Sequence, residues 1–317
     1  MIKLLVYTDG KPASGGALLF AAALKKRIGA EVTVITIRSG THATEEPPPL
    51  GTDVAIVTTD DKALLPRGLQ ILVSAAGILV QEGLLAPLTH INIRDVSNGH
   101  LFVAKTPSGE RIAFRESFGA FIESLNREVD QNGCNLLVVS PPRRAGLRRL
   151  VAGNTTRKLA LDLHTSVLVV RGGGPDSRFM VCADGSASAR RQFPLLKLLL
   201  RAIRNQVDLI CVKKPHESEE TARAAAECLH HARNWLENCD KNGRLHLLEG
   251  DDPAEMIVKA AGSDAVIVMG ASLRHDVYRR MLGSLPMQVL AQTDASVLLV
   301  KLPPEADSDF FKDPFTC

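Results

Sequence analysis

The stretch that decides the fold is Val266 to Lys301, VIVMGASLRHDVYRRMLGSLPMQVLAQTDASVLLVK. An apolar run of strand length opens it, a glycine-led loop follows, Gly283-Ser284 starts a helical segment, and a second apolar run closes it. Leu136 to Arg171, LLVVSPPRRAGLRRLVAGNTTRKLALDLHTSVLVVR, aligns with it at a constant offset of 130 residues and no gap. Gly153 falls on Gly283, Arg149 on Arg279, and Ser166-Val167-Leu168 on Ser296-Val297-Leu298.

Working outward, a second repeat appears. Arg178 to Lys213, RFMVCADGSASARRQFPLLKLLLRAIRNQVDLICVK, lies over Lys3 to Arg38, KLLVYTDGKPASGGALLFAAALKKRIGAEVTVITIR, at an offset of 175 residues. Asp184-Gly185 falls on Asp9-Gly10. In the first copy an apolar run ends at Tyr7, a helical pattern spans Ser14 to Ile28, and a β-branched alternating run covers Glu31 to Arg38. Strand, helix, strand is the signature of parallel pairing through a crossover helix, so the expected fold class is α/β, with two tandem doubly wound parallel-sheet domains. The two offsets, 175 and 130, differ by 45, so the first copy carries about 45 additional residues within 39–135. The expected division is domain 1 over 1–171, a Gly-Gly-Gly-Pro linker over 172–177, domain 2 over 178–302 and a tail over 303–317.

The content of the insertion reads as a β excursion. Thr41 to Leu50, with three consecutive prolines, is a loop, and Lys62 to Leu85 is helical with weakening glycines. Ile91 to Arg94, Leu101 to Lys105 and Arg111 to Phe114 are strand candidates separated by Ser97-Asn98-Gly99 and Pro107-Ser108-Gly109. Glu116 to Val129 reads as a return to helix. The second copy is plainer: a helix over Glu219 to Asn238, a strand over Arg244 to Glu249, and a helix over Asp252 to Ala261 opened by Asp-Asp-Pro.

Composition narrows the class. At 317 residues, with 45% hydrophobic and 23% charged residues, each half is long enough to bury a core. A net charge of +3 with interspersed signs gives no argument for nucleic acid. The six cysteines form no CxxC pair, and Cys182 and Cys211 sit inside apolar runs, which reads as buried thiols in a reducing compartment. MIKLLVYTDG lacks the pattern of a signal peptide, and the most apolar window, Leu69 to Leu88, is interrupted by Gln70, Gln81, Glu82 and Pro87, so the expectation is a cytoplasmic protein with no membrane span.

In a doubly wound sheet the ligand crevice lies outside the carboxyl ends of the strands, where strand order reverses. Three elements converge there in each half: the Asp-Gly after the first strand, the exit of the second, and the loop after the fourth. In the second half that loop runs Gly270, two residues, Leu273, nine residues, Gly283-Ser284. Gly270 reads as a sharp turn at the strand end, and Gly283 and Ser284 as a helix start whose free N–H groups favour an anion. Here the chain resembles a tandem universal stress protein, whose nucleotide-binding members carry Gly, two residues, Gly, nine residues, Gly-Ser or Gly-Thr after the fourth strand. The resemblance covers both halves except the insertion and the tail, and implies an adenine nucleotide alpha hydrolase-like fold.

The resemblance also implies a site. An aspartate after the first strand and a residue at the end of the second hold adenosine, which maps to Asp184 and Val212. The fourth-strand exit and the Gly-Ser turn hold ribose and phosphates, which maps to Met269, Gly270, Gly283 and Ser284. The implied cofactor is ATP or AMP, with Mg. Leu273 departs from the family's glycine, and its side chain stands against close approach of a phosphate. The first half departs further: Ser140 and Arg143 replace two glycines, Asn154 follows Gly153, and Pro141-Pro142 removes two N–H donors. No nucleotide is expected there.

Bland readings stand beside these. Asp9 and Asp184 are as well suited to capping the following helix. Arg143, Arg144, Arg148 and Arg149 could clamp phosphates or RNA but read better as a solvated loop, with nothing aromatic interleaved for base stacking, while in the later loop His275, Arg279 and Arg280 suit contact with an anion and surface exposure equally well. Gly10 to Gly15 has glycines at Walker-like spacing without the Lys and Ser or Thr, and no GxSxG or HExxH is present, so no enzyme is expected; slow phosphate hydrolysis assisted by Asp184 is the minor alternative. Ser166 to Arg171 and Ser296 to Leu302 are near-identical apolar edges, and the family implies that such strands pair as an intramolecular pseudo-dimer, with a homodimer of chains left open. The leading functional reading is regulatory adenine-nucleotide binding in the second half. The alternative is a non-nucleotide stress-response scaffold for protein partners or a small ligand.

Overall fold

The computed structural model describes residues 1–38, 53–55, 62–140, 154–204, 206–271 and 285–301. The chain divides into two compact units, Met1–Pro142 and Arg143–Cys317.

In the first unit the elements run β1 (Lys3–Tyr7), a 3-10 turn (Pro12–Ser14), α1 (Gly15–Ile28), β2 (Glu31–Arg38), β3 (Asp53–Ala55), α2 (Arg67–Gln81), β4 (His90–Asn92), β5 (Arg94–Val96), β6 (Gly99–Lys105), β7 (Arg111–Phe118), α3 (Phe121–Asn132) and β8 (Leu136–Val139). The sheet order is β8-β1-β2-β7-β6-β5, with β8, β1, β2 and β7 parallel and β6 and β5 added antiparallel. Strand β3 pairs antiparallel with β4 in a separate ribbon. Leu4, Leu5 and Val6 in β1, and all four residues of β8, are buried, as strands covered on both faces require. Helix α1 stops because Gly29 takes the left-handed conformation and returns its N–H to the Lys25 carbonyl.

The expected β excursion is present, with one correction to its bounds. Residues Glu116 to Phe118 are strand, not helix: β7 runs to Phe118, pairs in parallel with β2, and is the third strand of the repeated sheet. Helix α3 begins only at Phe121. The surplus residues therefore enter between β2 and β7, where β6 and β5 widen the sheet and Phe102 stacks on Phe114 with ring centroids 4.7 Å apart. At this edge Glu116 is fully buried, its Oε2 2.8 Å from His100 Nδ1. Gly68, in the first turn of α2, admits that carboxylate, since a Cβ there would overlap it.

The second unit runs α4 (Asn154–Asp162), β9 (Ser166–Val169), β10 (Phe179–Cys182), α5 (Ala187–Arg190), α6 (Phe193–Leu200), β11 (Val207–Lys213), α7 (Glu219–Asn238), β12 (Leu245–Glu249), α8 (Pro253–Ala261), β13 (Val266–Gly270), α9 (Leu285–Gln292) and β14 (Ser296–Val300). The order is β12-β11-β10-β13-β14-β9, parallel from β12 to β14. Strand order reverses between β10 and β13, the doubly wound pattern expected from the repeat. Asp252 caps α8, accepting from Ala254 N at 3.0 Å and Glu255 N at 3.1 Å. At the amino-terminal end of β11, buried Asp208 accepts from Arg244 N (2.8 Å), His246 Nε2 (3.1 Å) and Arg178 Nη1 (3.2 Å). Burial opposes its charge, but these donors hold its carboxyl below the ordinary range.

The near-identical terminal strands meet. β9 pairs antiparallel with β14, Leu168 opposite Leu298. Around this pair the contacts are reciprocal. Arg171 N donates to Ser296 Oγ at 3.1 Å, and Lys301 N donates to Ser166 Oγ at 3.0 Å. The Arg171 guanidinium donates to the Leu290 and Thr293 carbonyls, each at 2.7 Å, at the C-terminal end of α9. The Lys301 ammonium donates to the Leu163 carbonyl at 2.9 Å, at the C-terminal end of α4. Repeat-equivalent cations thus each cap the last helix of the other repeat, where orphan carbonyls and the negative helix end favour them.

Among the described residues no helix is long and apolar enough to cross a membrane. The buried-thiol reading holds for Cys182 and Cys211, and Cys134 and Cys228 are buried free thiols as well; burial pushes Cys134 and Cys211 up to about 11. Cys239, to which that reading does not extend, is disulfide-bonded.

Candidate functional site

The carboxyl edge of the second sheet brings four of the six expected residues together. The β10–β11 register places Cys182 opposite Ile210, so two residues further Asp184, past the end of β10, comes beside Val212, which is still within β11. The β10–β13 register places Val181 opposite Val268, so Met269 and Gly270 follow on the other flank. Met269 is buried, Val212 and Gly270 are half-buried and Asp184 is exposed. Gly283, Ser284 and Leu273 lie outside the described residues, as do Arg143, Arg144, Arg148, Arg149, His275, Arg279 and Arg280.

Asp184 does not cap a helix. Its Oδ1 accepts from Ser186 N at 3.0 Å in an Asx turn, and Ser186 is the cap of α5, accepting from Ala189 N at 3.1 Å. The carboxylate's second oxygen has no partner among the described residues. Asp9, its repeat equivalent, makes the same turn with Lys11 N at 3.0 Å, but there Lys11 Nζ also lies 3.1 Å from Oδ2. Ser186 stands where the first copy has Lys11, so one carboxylate is neutralised by its own neighbour and the other has no such cation beside it in sequence.

Gly270 requires a correction. It is extended, paired opposite Val300 within β13, and makes no turn. What demands a glycine is the close approach of α5: a Cβ at 270 would overlap the Ser188 carbonyl. Gly185 is a true left-handed residue, φ +77°, and it too meets helix backbone, since a Cβ would lie 2.6 Å from the Ala224 carbonyl carbon in α7. The floor of the crevice is therefore formed by two backbones pressed onto the strand ends. Sequence spacing alone could not separate this packing need from a ligand's need for bare amides.

Three features went unread in the sequence. The Glu116–His100 pair joins residues on neighbouring strands, and neither lies near a recognisable motif. The reciprocal Arg171 and Lys301 contacts were visible in principle, because both cations end the same repeated strand. The Cys239 bond had no spacing signal. For Mg, no group of three or more His, Cys, Asp or Glu able to hold a metal ion occurs among the described residues.

Two doubly wound α/β sheets built from a tandem repeat, each with an Asp-Gly at the carboxyl edge, define the class. The universal stress protein family model matches residues 1–171 and again 177–301, and the chain belongs to that family. Among solved structures it is similar to a functionally unknown protein from Pseudomonas aeruginosa PAO1, with TM-score 0.59 and 15% identity over 94% of this chain and 92% of that one. It is also similar to a putative universal stress protein from Pseudomonas aeruginosa UCBPP-PA14, with TM-score 0.58 and 14% identity over 94% and 92%. A third, from Archaeoglobus fulgidus DSM 4304, is a universal stress protein with TM-score 0.56 and 13% identity over 94% and 98%. At these identities the likeness is one of fold. Among curated proteins none is similar enough to count as a match.

Proposed function

We propose that this protein is a regulatory adenine-nucleotide binder, taking ATP or AMP at the carboxyl edge of its second unit, and that it is not catalytic. The supporting observation is the contrast between the two aspartates. Asp184 is exposed, oriented by its Asx turn and without a partner for its second oxygen among the described residues, while Asp9 is engaged by Lys11. An oriented carboxylate suits two neighbouring ribose hydroxyls, and half-buried Val212 offers an apolar flank to a base. Charged acceptors of this kind contribute roughly 1.5–3 kcal/mol. A scaffold without nucleotide is the second reading, favoured by Gly270, whose missing side chain α5 explains without a ligand.

The test is to denature protein purified without added ligand and assay released adenine nucleotide, then to titrate ATP and AMP. Asp184→Ala should weaken binding about 10- to 100-fold, by conversion of that energy, while Asp9→Ala leaves it unchanged. Gly283→Val should abolish it and Gly153→Val should not. No binding by wild type or by Leu273→Gly would favour the scaffold, and ATP turnover lost in Asp184→Ala would overturn the non-catalytic reading.

A further inference from the structure

The two sheets end differently at equivalent strands. Val34 in β2 lies opposite Phe114 in β7, Leu209 in β11 lies opposite Leu245 in β12, and Val34 and Leu209 are 175 residues apart, the repeat offset. Phe114 therefore corresponds to Leu245, Glu116 to Leu247 and Phe118 to Glu249. In the first unit an antiparallel strand covers this edge: Phe102 of β6 lies opposite Phe114 and His100 opposite Glu116, while Phe118 N donates to the Asn98 carbonyl at 3.0 Å. Phe114 and Glu116 are fully buried. In the second unit no strand among the described residues lies beyond β12, and Leu245 and Leu247 are 40% and 65% exposed.

The bare edge is built to pair. Leu209 N donates to the Arg244 carbonyl at 2.9 Å and Gly250 N to the Lys213 carbonyl at 3.1 Å, so Arg244, His246, Leu248 and Gly250 turn their backbone groups toward β11. The alternate residues, Leu245, Leu247 and Glu249, turn theirs outward, the free row of an edge strand. Leu245 and Leu247 also share one face, and with Leu229 of α7 they line a groove of about 300 Å³ beside that edge.

The strand's own sequence selects what covers it. Arg244 stands just before β12 and Glu249 ends it; both are exposed, and neither side chain has a partner among the described residues. A second β12 laid antiparallel sets each Arg244 end beside a Glu249 end, whereas a parallel one would set like charges together. An antiparallel ladder also needs outward residues opposite outward residues, and setting Leu245 opposite the second chain's Leu247 satisfies this twice about a two-fold axis. Both leucine pairs then fall on the groove face, so each chain covers the other's exposed apolar positions. On the opposite face His246 meets its own equivalent, each held by its own Asp208 at 3.1 Å.

We propose that β12 is a homodimer contact: two chains pair their β12 strands antiparallel about a two-fold axis, Leu245 of each opposite Leu247 of the other, making between chains the contact that β6 makes on β7 within one. An interface of one short strand and its groove is small, which places it among weak, reversible associations whose dimer fraction rises with protein concentration. It is independent of the nucleotide reading, since β12 carries none of the residues assigned to that site.

Sedimentation of the full chain over a concentration series should show monomer and dimer in exchange. Leu247→Lys, a charge at the centre of the edge, should leave monomer only, with the melting temperature of the monomer kept. Arg244→Glu should weaken the dimer at least about threefold, because symmetry removes two exposed charge pairs, and Arg244→Glu combined with Glu249→Arg should restore it. That rescue carries the test should Leu247→Lys not fold. The N–H groups of Leu245, Leu247 and Glu249 should exchange more slowly as concentration rises. A wild type that stays monomeric at every concentration, or a dimer that neither Leu247→Lys nor Arg244→Glu weakens, would overturn the proposal. So would a monomer whose three outward N–H groups are already protected, which would assign the edge to another segment of the same chain.

Discussion

A single buried amine shows how much a side chain's surroundings can alter its chemistry. Lys301 is 3% exposed, and burial pulls its ammonium from the ordinary 10.5 down to about 8, against the pull of Asp162. Its repeat equivalent, Arg171, caps α9 from a half-buried position with a guanidinium that stays charged at any working pH. The sign for Lys301 follows from proton uptake. Between about pH 8 and 10.5 the unfolded chain binds more protons at this residue than the folded one, so stability rises with pH across that window. Below pH 8 the full cost of the buried charge is present, at most ~3 kcal/mol. Lys301→Met removes this cost and also the hydrogen bond to Leu163, which is worth about 1 kcal/mol. The expected result in urea melts is that Lys301→Met gains most on wild type at or below pH 8 and loses that advantage by pH 10.5. A constant difference across the range would show that the ammonium is not buried at a cost. The two aspartates teach the same lesson from the surface: one neighbour, Lys11 or Ser186, decides whether the carboxylate gains a cation from its own turn.

At the level of elements, helix backbones rather than side chains shape the crevice. Helix α5 presses on Gly270 and α7 on Gly185, so Gly270→Ala should cost about 1–3 kcal/mol by forcing α5 away. Thermal melts without ligand check this; Ser140, the repeat equivalent, already carries a side chain, and Ser140→Gly should cost less than 1 kcal/mol by propensity alone. Gly185→Ala should cost more than Gly270→Ala, because it adds left-handed strain to a backbone overlap. Element order was legible because a gapless offset repeats strand and helix periods together. α7 spans Glu219–Asn238 and β2 spans Glu31–Arg38, as read from the sequence. β7 was cut short because Glu116 occupies an inward position, where a charged residue breaks the apolar alternation that marks a strand. Its charged neighbours, His100 and Arg38, are distant in sequence and so left no local trace.

For the whole molecule, the repeat and the contacts divide the chain at different places. The family model closes its first match at 171, yet α4 and β9 belong by contacts to the unit that starts at Arg143. The reason lies in β14, whose outer edge is paired by β9 and whose neighbour α9 is capped by Arg171. A fragment of residues 172–317 would lose both. Val167, Leu168 and Val169 are all within 1% of full burial, and each such side chain contributes roughly 1.5–3 kcal/mol. The expectation is that fragment 143–317 melts at a higher temperature, whereas fragment 172–317 melts lower and self-associates through the bare edge of β14. Sedimentation and thermal melts of the two fragments decide it. Equal melting temperatures would mean that β9 is dispensable and that the duplicated terminal strands do not hold this unit together. A dimer of fragment 172–317 that dissociates on adding a peptide of residues 154–171 would show instead that one repeat's last strand serves as the other's partner.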